Sequence, residues 1–245
     1  MGMNPRTLRP RASGYLDPRT ISGIAFWLDA STASTSTLTL DGSSGVSTWA
    51  DKTVNGRNAT QTTASNRPVL NSLGFGGKQA VKFNGGLDEL LSMGNLSSVF
   101  PTAGEVILAV DLNGDTSYSL YATSTNSEYF RNGNTLSYFG TFSLSRQNGL
   151  SVSAPTTGRH IISIRCSNGG NQVIRVDGAD LFSGSPVNGY LAGTSHVIGN
   201  SNNRASDTPF SGWIGEVIAY STLPSASDRQ RLERSLGSKW GATVA

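Results

Sequence analysis

Glycine follows asparagine or aspartate at nine places in this chain of 245 residues, and these pairs divide it into short segments. The pairs begin at Asp41, Asn55, Asn84, Asn113, Asn132, Asn148, Asn168, Asp177 and Asn188. Asn-Gly and Asp-Gly readily adopt the left-handed backbone of tight hairpin turns. The segments between them are rich in Val, Ile, Leu, Tyr, Phe and Thr, which favours strands. The sequence therefore predicts an antiparallel β protein that reverses direction at tight turns.

Apolar or alternating segments give the individual strand predictions. They lie at 24–29, 46–49, 78–83, 90–93, 105–111, 118–122, 128–131, 136–142, 160–166, 171–177 and 210–220, and weaker ones lie at 190–191 and 196–199. Segment 105–111 is nearly all apolar, which is typical of a strand in the centre of a sheet. The span 51–68 is rich in Asn, Gly and Thr and is predicted to be a loop.

One helix is predicted near the end of the chain. Ser225 is its expected cap, and Asp228 stands at the third helical position, a variant of the capping box. Leu232, Leu236 and Trp240 recur every four residues and define one apolar face. Three arginines of this helix are expected to face solvent: Arg229, Arg231 and Arg234.

The formal net charge of +3 is concentrated in the first twenty residues. Four arginines stand there against Asp17 alone, so residues 21–245 are neutral by formal count. Prolines at positions 5, 10 and 18 exclude a helix or a central strand from this stretch. We therefore divide the chain into a basic, extended arm at 1–20 and one sandwich domain at 21–245. The basic balance belongs to the arm, so no nucleic-acid-binding face is predicted.

The sequence contains few features that indicate a cellular compartment. No apolar signal-peptide region opens the chain, and no apolar run is long enough to span a membrane. Cys166 is the single cysteine, so no disulfide framework is expected. These observations favour synthesis in a cytoplasm without secretion through a signal peptide, and no membrane partner.

Three groups of segments, in order along the chain, resemble the laminin-G-like, concanavalin-A-like jelly-roll family. They are FWLDA at 26–30 with 49–51 and 55–59, then 67–68 with GKQAVKFNG at 77–85, and finally FSGWIGEVIAY at 210–220 with the end of the helix at 239–241. The resemblance covers about residues 22–242 and implies an all-β, two-sheet antiparallel jelly-roll sandwich with one short C-terminal helix. Such domains are common in bacterial surface proteins and in the virions of tailed phages, and they include lectins, hydrolases and adhesion or packing modules, so the fold alone does not fix a function.

Catalytic and metal-binding patterns are weak. No pair of carboxylates at alternate strand positions offers the acid and nucleophile of a glycosidase, so we expect no enzyme. Asp111, Asn113 and Asp115 alternate as in calcium loops, but the rest of an EF-hand loop is absent, and an Asn-Gly turn explains them better. No cofactor is therefore expected, with calcium at these three residues as the alternative. His160 and His196 lack ligand partners at zinc spacing.

Aromatic residues in the middle of the chain suggest a sugar-binding face. Tyr118, Tyr121, Tyr129 and Tyr138 lie among Asn and Ser residues, and aromatic rings beside amide groups hold sugar rings. Ordinary alternation of inward and outward strand aromatics explains the same pattern and is favoured.

Our leading interpretation is a non-enzymatic structural protein of a tailed-phage virion, a decoration or cement domain on the particle surface. The arm would bind the major capsid protein or another virion protein, and copies of the domain would pair into oligomers. The arm residues expected to make this contact are Arg6, Arg9, Arg11, Tyr15 and Arg19. The alternative is a carbohydrate-binding, lectin-like adhesion module on capsid or tail, whose partner is a surface glycan.

Overall fold

The computed structural model describes eleven stretches of the chain. They are residues 15–32, 37–86, 88–100, 103–114, 118–123, 127–128, 131–132, 155–167, 172–184, 195–200 and 209–245. Within them the chain forms an antiparallel β-sandwich with one α-helix, as the sequence predicts.

Sheet A, the larger of the two, contains eight strands in the described residues. They are β1 (Ile24–Asp29), β5 (Val69–Phe75), β6 (Lys78–Asn84), β8 (Ala103–Asn113), β13 (Thr157–Ser167), β14 (Gln172–Val176), β15 (Ala179–Gly184) and β17 (Ser211–Tyr220). The order across the sheet is β15-β14-β13-β8-β17-β6-β5. Strand β17 pairs with β6 through 211–214 and with β1 through 216–220, so one long strand joins both.

Sheet B contains seven strands in the described residues. They are β2 (Leu38–Leu40), β3 (Val46–Trp49), β4 (Ala59–Thr60), β7 (Leu91–Gly94), β10 (Tyr121–Thr123), β11 (Ser127–Glu128) and β16 (His196–Ile198). Their order is β11-β10-β16-β7-β4-β3-β2. The strands β9 (Tyr118–Ser119) and β12 (Arg131–Asn132) form a separate pair.

The molecule has three layers, because helix α1 (Ala226–Trp240) covers the outer face of sheet A. One hydrophobic core lies between the sheets and includes Phe26, Trp49 and Phe83. A second core lies between sheet A and α1 and includes Trp240. Strand β8 is buried on both faces because it lies between these cores, which explains its nearly continuous apolar sequence.

Helix α1 begins and ends as its sequence predicts. The Oγ atom of Ser225 accepts a hydrogen bond from the backbone N–H of Asp228 at 3.1 Å. Gly241 ends the helix in the left-handed conformation, with φ 74°. The prediction that Arg229 faces solvent is wrong, because its side chain is buried beside Glu105 of sheet A. Burial of the guanidinium lowers the pKa of Arg229.

Two glycine-containing turns make the tight hairpins seen in the described residues. Asp177 and Gly178 join β14 to β15 and both have positive φ, as the sequence predicts for Asp-Gly. Gly76 and Gly77 join β5 to β6 in the same way. Strands β2, β5 and β15 were not predicted, and β4 lies within a span predicted to be a loop.

The last residues of the predicted arm pack against the sandwich. Pro18 is buried, and the Tyr220 hydroxyl donates to its carbonyl oxygen at 2.9 Å. The Leu16 N–H donates to the Ser235 hydroxyl of α1 at 2.7 Å. Residues 15–20 therefore contact the folded domain, while 1–14 lie outside the described residues.

The part of the chain that the structure describes has no helix of the length and hydrophobicity needed to cross a bilayer.

Candidate functional site

A polar groove lies on the outer face of sheet B, opposite the side covered by sheet A. Leu91 and Met93 of β7 point into the sandwich core, so Ser92 between them faces outward. The groove has a volume of about 440 Å³, within the usual size range of small-molecule sites. Its described lining residues are Thr60, Gln61, Thr62, Thr63, Asn66, Asp88, Leu90, Ser92, Ser195 and Val197.

Hydroxyl side chains form a row that leads into this groove. Thr39 pairs with Thr48, Thr48 with Thr60, and Thr60 with Ser92, each across one strand boundary of sheet B. Neighbouring strands are about 4.8 Å apart, so this hydroxyl row spans about 14 Å across four strands. Hydroxyl groups both donate and accept hydrogen bonds, and the row therefore offers repeated bonding positions at right angles to the strands.

The loop that forms one wall of the groove is held in place by Arg67. Its Nε donates to the carbonyl oxygen of Gln61 and its Nη2 to that of Thr62, both at 3.0 Å. Its Nη1 donates to Asp41 Oδ2 at 3.0 Å. The Gln61 side chain donates to the Leu90 carbonyl at 3.1 Å, which ties this wall to the opposite one. Binding in the groove would therefore require little ordering of the wall.

No tyrosine of the predicted sugar-binding face is among the described lining residues of the groove. Tyr121 is fully buried, and its hydroxyl lies 2.7 Å from Nδ1 of His196, so its prediction as a sugar-contacting residue is wrong. Tyr118 lies in β9, and Tyr129 and Tyr138 fall outside the described residues.

The described arm residues contact their own domain. Arg19 pairs with Asp17 at 2.6 Å, and its guanidinium lies 5.4 Å from the centroid of the Trp27 ring. Tyr15 is half exposed, with its ring 5.9 Å from the Lys239 ammonium. Arg6, Arg9 and Arg11 lie outside the described residues, so their role in binding a partner stays a prediction.

The calcium candidate lies at the end of β8, on the other sheet. Asp111 accepts a hydrogen bond from Arg159 Nε at 3.4 Å, and the Asn113 amide donates to Ser211 at 3.4 Å. Asp115 is not among the described residues. Across the described chain, no three His, Cys, Asp or Glu side chains come together as a metal site would require.

Carboxylates beneath helix α1 hold the helix to sheet A. Glu216 accepts from the indole N–H groups of Trp27 at 2.6 Å and Trp240 at 2.7 Å. Lys239 donates to the same carboxylate at 2.6 Å and also pairs with Asp29 at 3.0 Å. Burial raises the pKa of Glu216, and the nearby charge of Asp29 adds to this effect. A cavity of about 430 Å³ beside these groups includes in its lining Lys52 and Lys239, which pair with Asp29 and Glu216.

A second ionic cluster lies nearer the start of α1. Glu233 accepts from Ser163 at 3.0 Å and from Arg175 Nε at 3.0 Å. Glu105 accepts from Arg165 Nη2 at 2.7 Å, and burial raises its pKa. Arg175 and Glu105 of sheet A are therefore buried charges that pair with residues of α1 and help to hold the helix on the sheet.

Sequence reasoning missed the groove because its residues come from separate segments. The run Thr60-Gln61-Thr62-Thr63 is visible in the sequence as a polar stretch, but it was assigned to a loop without function. Only the register of β4, β7 and β16 places Ser92 and Val197 beside it.

Solved structures share the fold at low sequence identity. Trypanosoma rangeli sialidase in complex with sialic acid matches with a TM-score of 0.56 at 15% identity, over 89% of this chain and 33% of the sialidase. Domain 4 of a GH43 extracellular arabinanase from Geobacillus stearothermophilus, in complex with arabinotriose, matches with a TM-score of 0.56 at 19% identity. That match covers 76% of this chain and 91% of the domain.

The binding domain of botulinum neurotoxin DC, in complex with SialylT, matches with a TM-score of 0.55 at 13% identity, over 87% of this chain and 51% of that one. No family model and no curated protein matches the sequence. This chain spans about a third of the length of the sialidase it resembles. The comparisons show a β-sandwich fold that this chain shares with domain 4 of the arabinanase and with parts of the sialidase and of the neurotoxin binding domain.

Proposed function

We propose that this protein is a carbohydrate-binding module and that the groove on the outer face of sheet B holds the glycan. The hydroxyl row that leads into the groove carries this proposal. Sugars are bound through many hydrogen bonds to hydroxyl and amide groups, and Thr60, Gln61 and Ser92 supply such groups side by side. The fold shared with an arabinanase domain solved with arabinotriose, and with a third of a sialidase solved with sialic acid, supports the proposal.

Binding without catalysis is part of the proposal. Glycosidases of the usual kind need two carboxyl groups about 5–9 Å apart. The described lining of the groove has a single carboxylate, that of Asp88. We also propose that binding is independent of calcium, because calcium takes six to eight oxygen ligands and favours several carboxylates.

The experiment is a glycan array followed by calorimetric titration of the full chain with each glycan that binds. Ser92→Phe places a ring on the floor of the groove and is expected to reduce affinity at least about tenfold. Leu73→Phe is the matched control, since Leu73 is 72% exposed on β5 of the other sheet. Titrations with calcium and with chelator are expected to agree.

Three results would contradict the proposal: no glycan bound by the wild-type chain, equal affinities for the wild type and Ser92→Phe, or release of a shortened product from a bound oligosaccharide. Circular dichroism and thermal unfolding of both variants check that the sandwich is intact.

The virion role stays a prediction beside this proposal. A glycan-binding domain on a particle surface would combine the two, with Arg6, Arg9 and Arg11 as the attachment to a capsid protein. None of the three solved structures named above is a virion protein. The hydroxyl row favours glycan binding, and no comparable feature among the described residues favours attachment to a capsid.

A further inference from the structure

Charged side chains are distributed very unequally between the two sheets. Six strands of sheet B contain no Lys, Arg, Asp or Glu: β2, β3, β4, β7, β10 and β16. Sheet A, in contrast, carries on its outer face carboxylates and guanidinium groups such as Glu105, Arg175 and Glu216. The strands that form the floor of the groove and the hydroxyl row therefore carry hydroxyl and aliphatic side chains there, and the amides of the groove come from Gln61 and Asn66 of its loop.

The described lining of the groove contains no Lys, Arg or His side chain. Asp88 is the single charged side chain in the described lining, and it is exposed. Arg67 borders the groove, but its nitrogens bond the Asp41 carboxylate and the carbonyl oxygens of Gln61 and Thr62. The guanidinium charge of Arg67 is thus paired with the Asp41 carboxylate.

Acidic sugars need a different kind of surface. A sugar carboxylate that leaves water must be paired with a guanidinium, an ammonium or several N–H donors, or else the cost of removing its hydration is not recovered. Uncharged sugars lose only hydroxyl hydration, which the hydroxyl row and the groove amides replace.

We infer that the groove selects uncharged glycans and discriminates against glycans that carry carboxylates. This inference rests on the proposed function and names the class of its ligand. The fold leaves the charge of the ligand open, because the neighbours were solved with an acidic sugar, sialic acid, and with a neutral one, arabinotriose. The charge pattern of this chain's sheet B favours the neutral class.

The main test uses sugar oligomers of equal length that differ in the presence of a carboxylate. Oligomers of glucose and galactose are titrated against the full chain beside the glucuronate and galacturonate oligomers of equal length, and beside the methyl esters of those uronates. Lactose and sialyllactose form a further pair. We expect the carboxylated member of each pair to bind at least about tenfold more weakly than the neutral one, and the methyl esters to recover the lost affinity.

A charge placed in the groove tests the physical reason. Thr63 is exposed on the groove wall, and its side chain makes no capping hydrogen bond to the short turn that follows. Thr63→Lys is expected to raise the affinity for the carboxylated oligomers relative to the neutral ones by about tenfold. Thr63→Met, of similar length and without charge, is the control and is expected to leave the ratio unchanged.

The outcomes separate this inference from the proposed function. If carboxylated oligomers bind as well as the neutral ones or better, the groove binds glycans but the inference of neutral selectivity is wrong. If Thr63→Lys and Thr63→Met change the ratio equally, charge is not the cause of the selectivity, and the inference is again wrong. If no oligomer of either class binds, the proposed function fails, and the inference fails with it.

Discussion

His160 is a single residue whose protonation should be visible in the stability of the whole domain. Its Nδ1 lies 2.7 Å from Asp177 Oδ2, and its Nε2 lies 2.9 Å from the carbonyl oxygen of Thr157. Both partners are acceptors, so only the doubly protonated imidazolium donates to both. Burial lowers the pKa of His160, but the hydrogen bonds to Asp177 and Thr157 and the charge of Asp111 outweigh it and raise the pKa overall.

The direction of the pH dependence follows from this raised pKa. A histidine with a higher pKa in the folded state stabilises the fold fully below its unfolded pKa of about 6.5, and this contribution is lost as the pH rises through the folded pKa. We therefore predict that the free energy of unfolding falls between pH 6 and pH 8. The measurement is urea unfolding of the wild type and of His160→Gln at several pH values in this range.

The His160→Gln variant is expected to lose about 1 kcal/mol at pH 6 and to show a shallower dependence on pH. Subtracting its curve from that of the wild type removes contributions from other groups, including the second histidine, His196. Parallel curves for the two proteins would contradict the prediction.

The turn that contains Asp177 also contacts residue 245, since the Ala245 N–H donates a hydrogen bond to the Asp177 carbonyl oxygen at 3.0 Å.

At the scale of elements, the close approach of helix α1 to sheet A depends on a glycine in β17. A Cβ built on Gly215 would lie 2.5 Å from Cζ3 of Trp240, well inside van der Waals contact. The indole of Trp240 is almost fully buried and donates to Glu216, so it cannot move aside without exposing that carboxylate. The absence of a side chain at 215 lets the last turn of α1 contact the sheet.

We predict that Gly215→Ala lowers the free energy of unfolding by about 1–3 kcal/mol, as overpacking of a core does. Gly42→Ala is the matched control, because a Cβ at Gly42 would meet no atom within 4 Å. The control is expected to be unchanged or slightly more stable. Urea unfolding followed by tryptophan fluorescence measures both, and equal stabilities of the two variants would show that Trp240 accommodates the methyl group.

Elements differ in how far the sequence reveals them. Strand β8 and helix α1 were predicted because each combines a strong pattern with a matching environment: burial on two faces, and a capped apolar stripe. Strands β2 and β4 are short and rich in threonine, so their pattern resembles that of a loop. The groove depends on β4 and the hydroxyl row on both β2 and β4, and pairing between distant segments is not encoded in any local pattern.

Buried charges were hidden from the sequence for a related reason. Arg229 and Glu233 look like residues of a solvated helix face, because the sequence does not show which face meets Glu105 and Arg175 on sheet A. Tyr121 likewise looks like a surface aromatic until the sheet places it against His196. The sequence pattern predicted the strands and the helix. Whether a given side chain is buried or exposed depends on the residues that it meets from other parts of the chain.

At the scale of the whole molecule, the boundary between arm and domain can be placed by truncation. Residues 15–20 contribute the buried Pro18, the packing of Leu16 on the second core, and the hydrogen bond from the Tyr220 hydroxyl. The two truncated chains, one lacking 1–14 and the other lacking 1–20, both lose Arg6, Arg9 and Arg11. They differ only in residues 15–20, which also include the hydrogen bond from Leu16 to Ser235 and the contact of Arg19 with Trp27.

We predict that the chain lacking 1–20 is less stable than the chain lacking 1–14 by about 2–4 kcal/mol, from the exposure of Leu16's contacts and the unpaired hydroxyl of Tyr220. Urea unfolding of both chains measures the difference. Glycan affinity is expected to be the same in both, because the groove lies on the outer face of sheet B while residues 15–20 pack beside α1 on sheet A. Equal stabilities would place the domain boundary after residue 20, and the contacts at 15–20 would then contribute nothing to folding. An experiment on attachment to a particle should therefore use the chain lacking 1–14, since loss of attachment in the shorter chain would mix the loss of an anchor with the loss of stability.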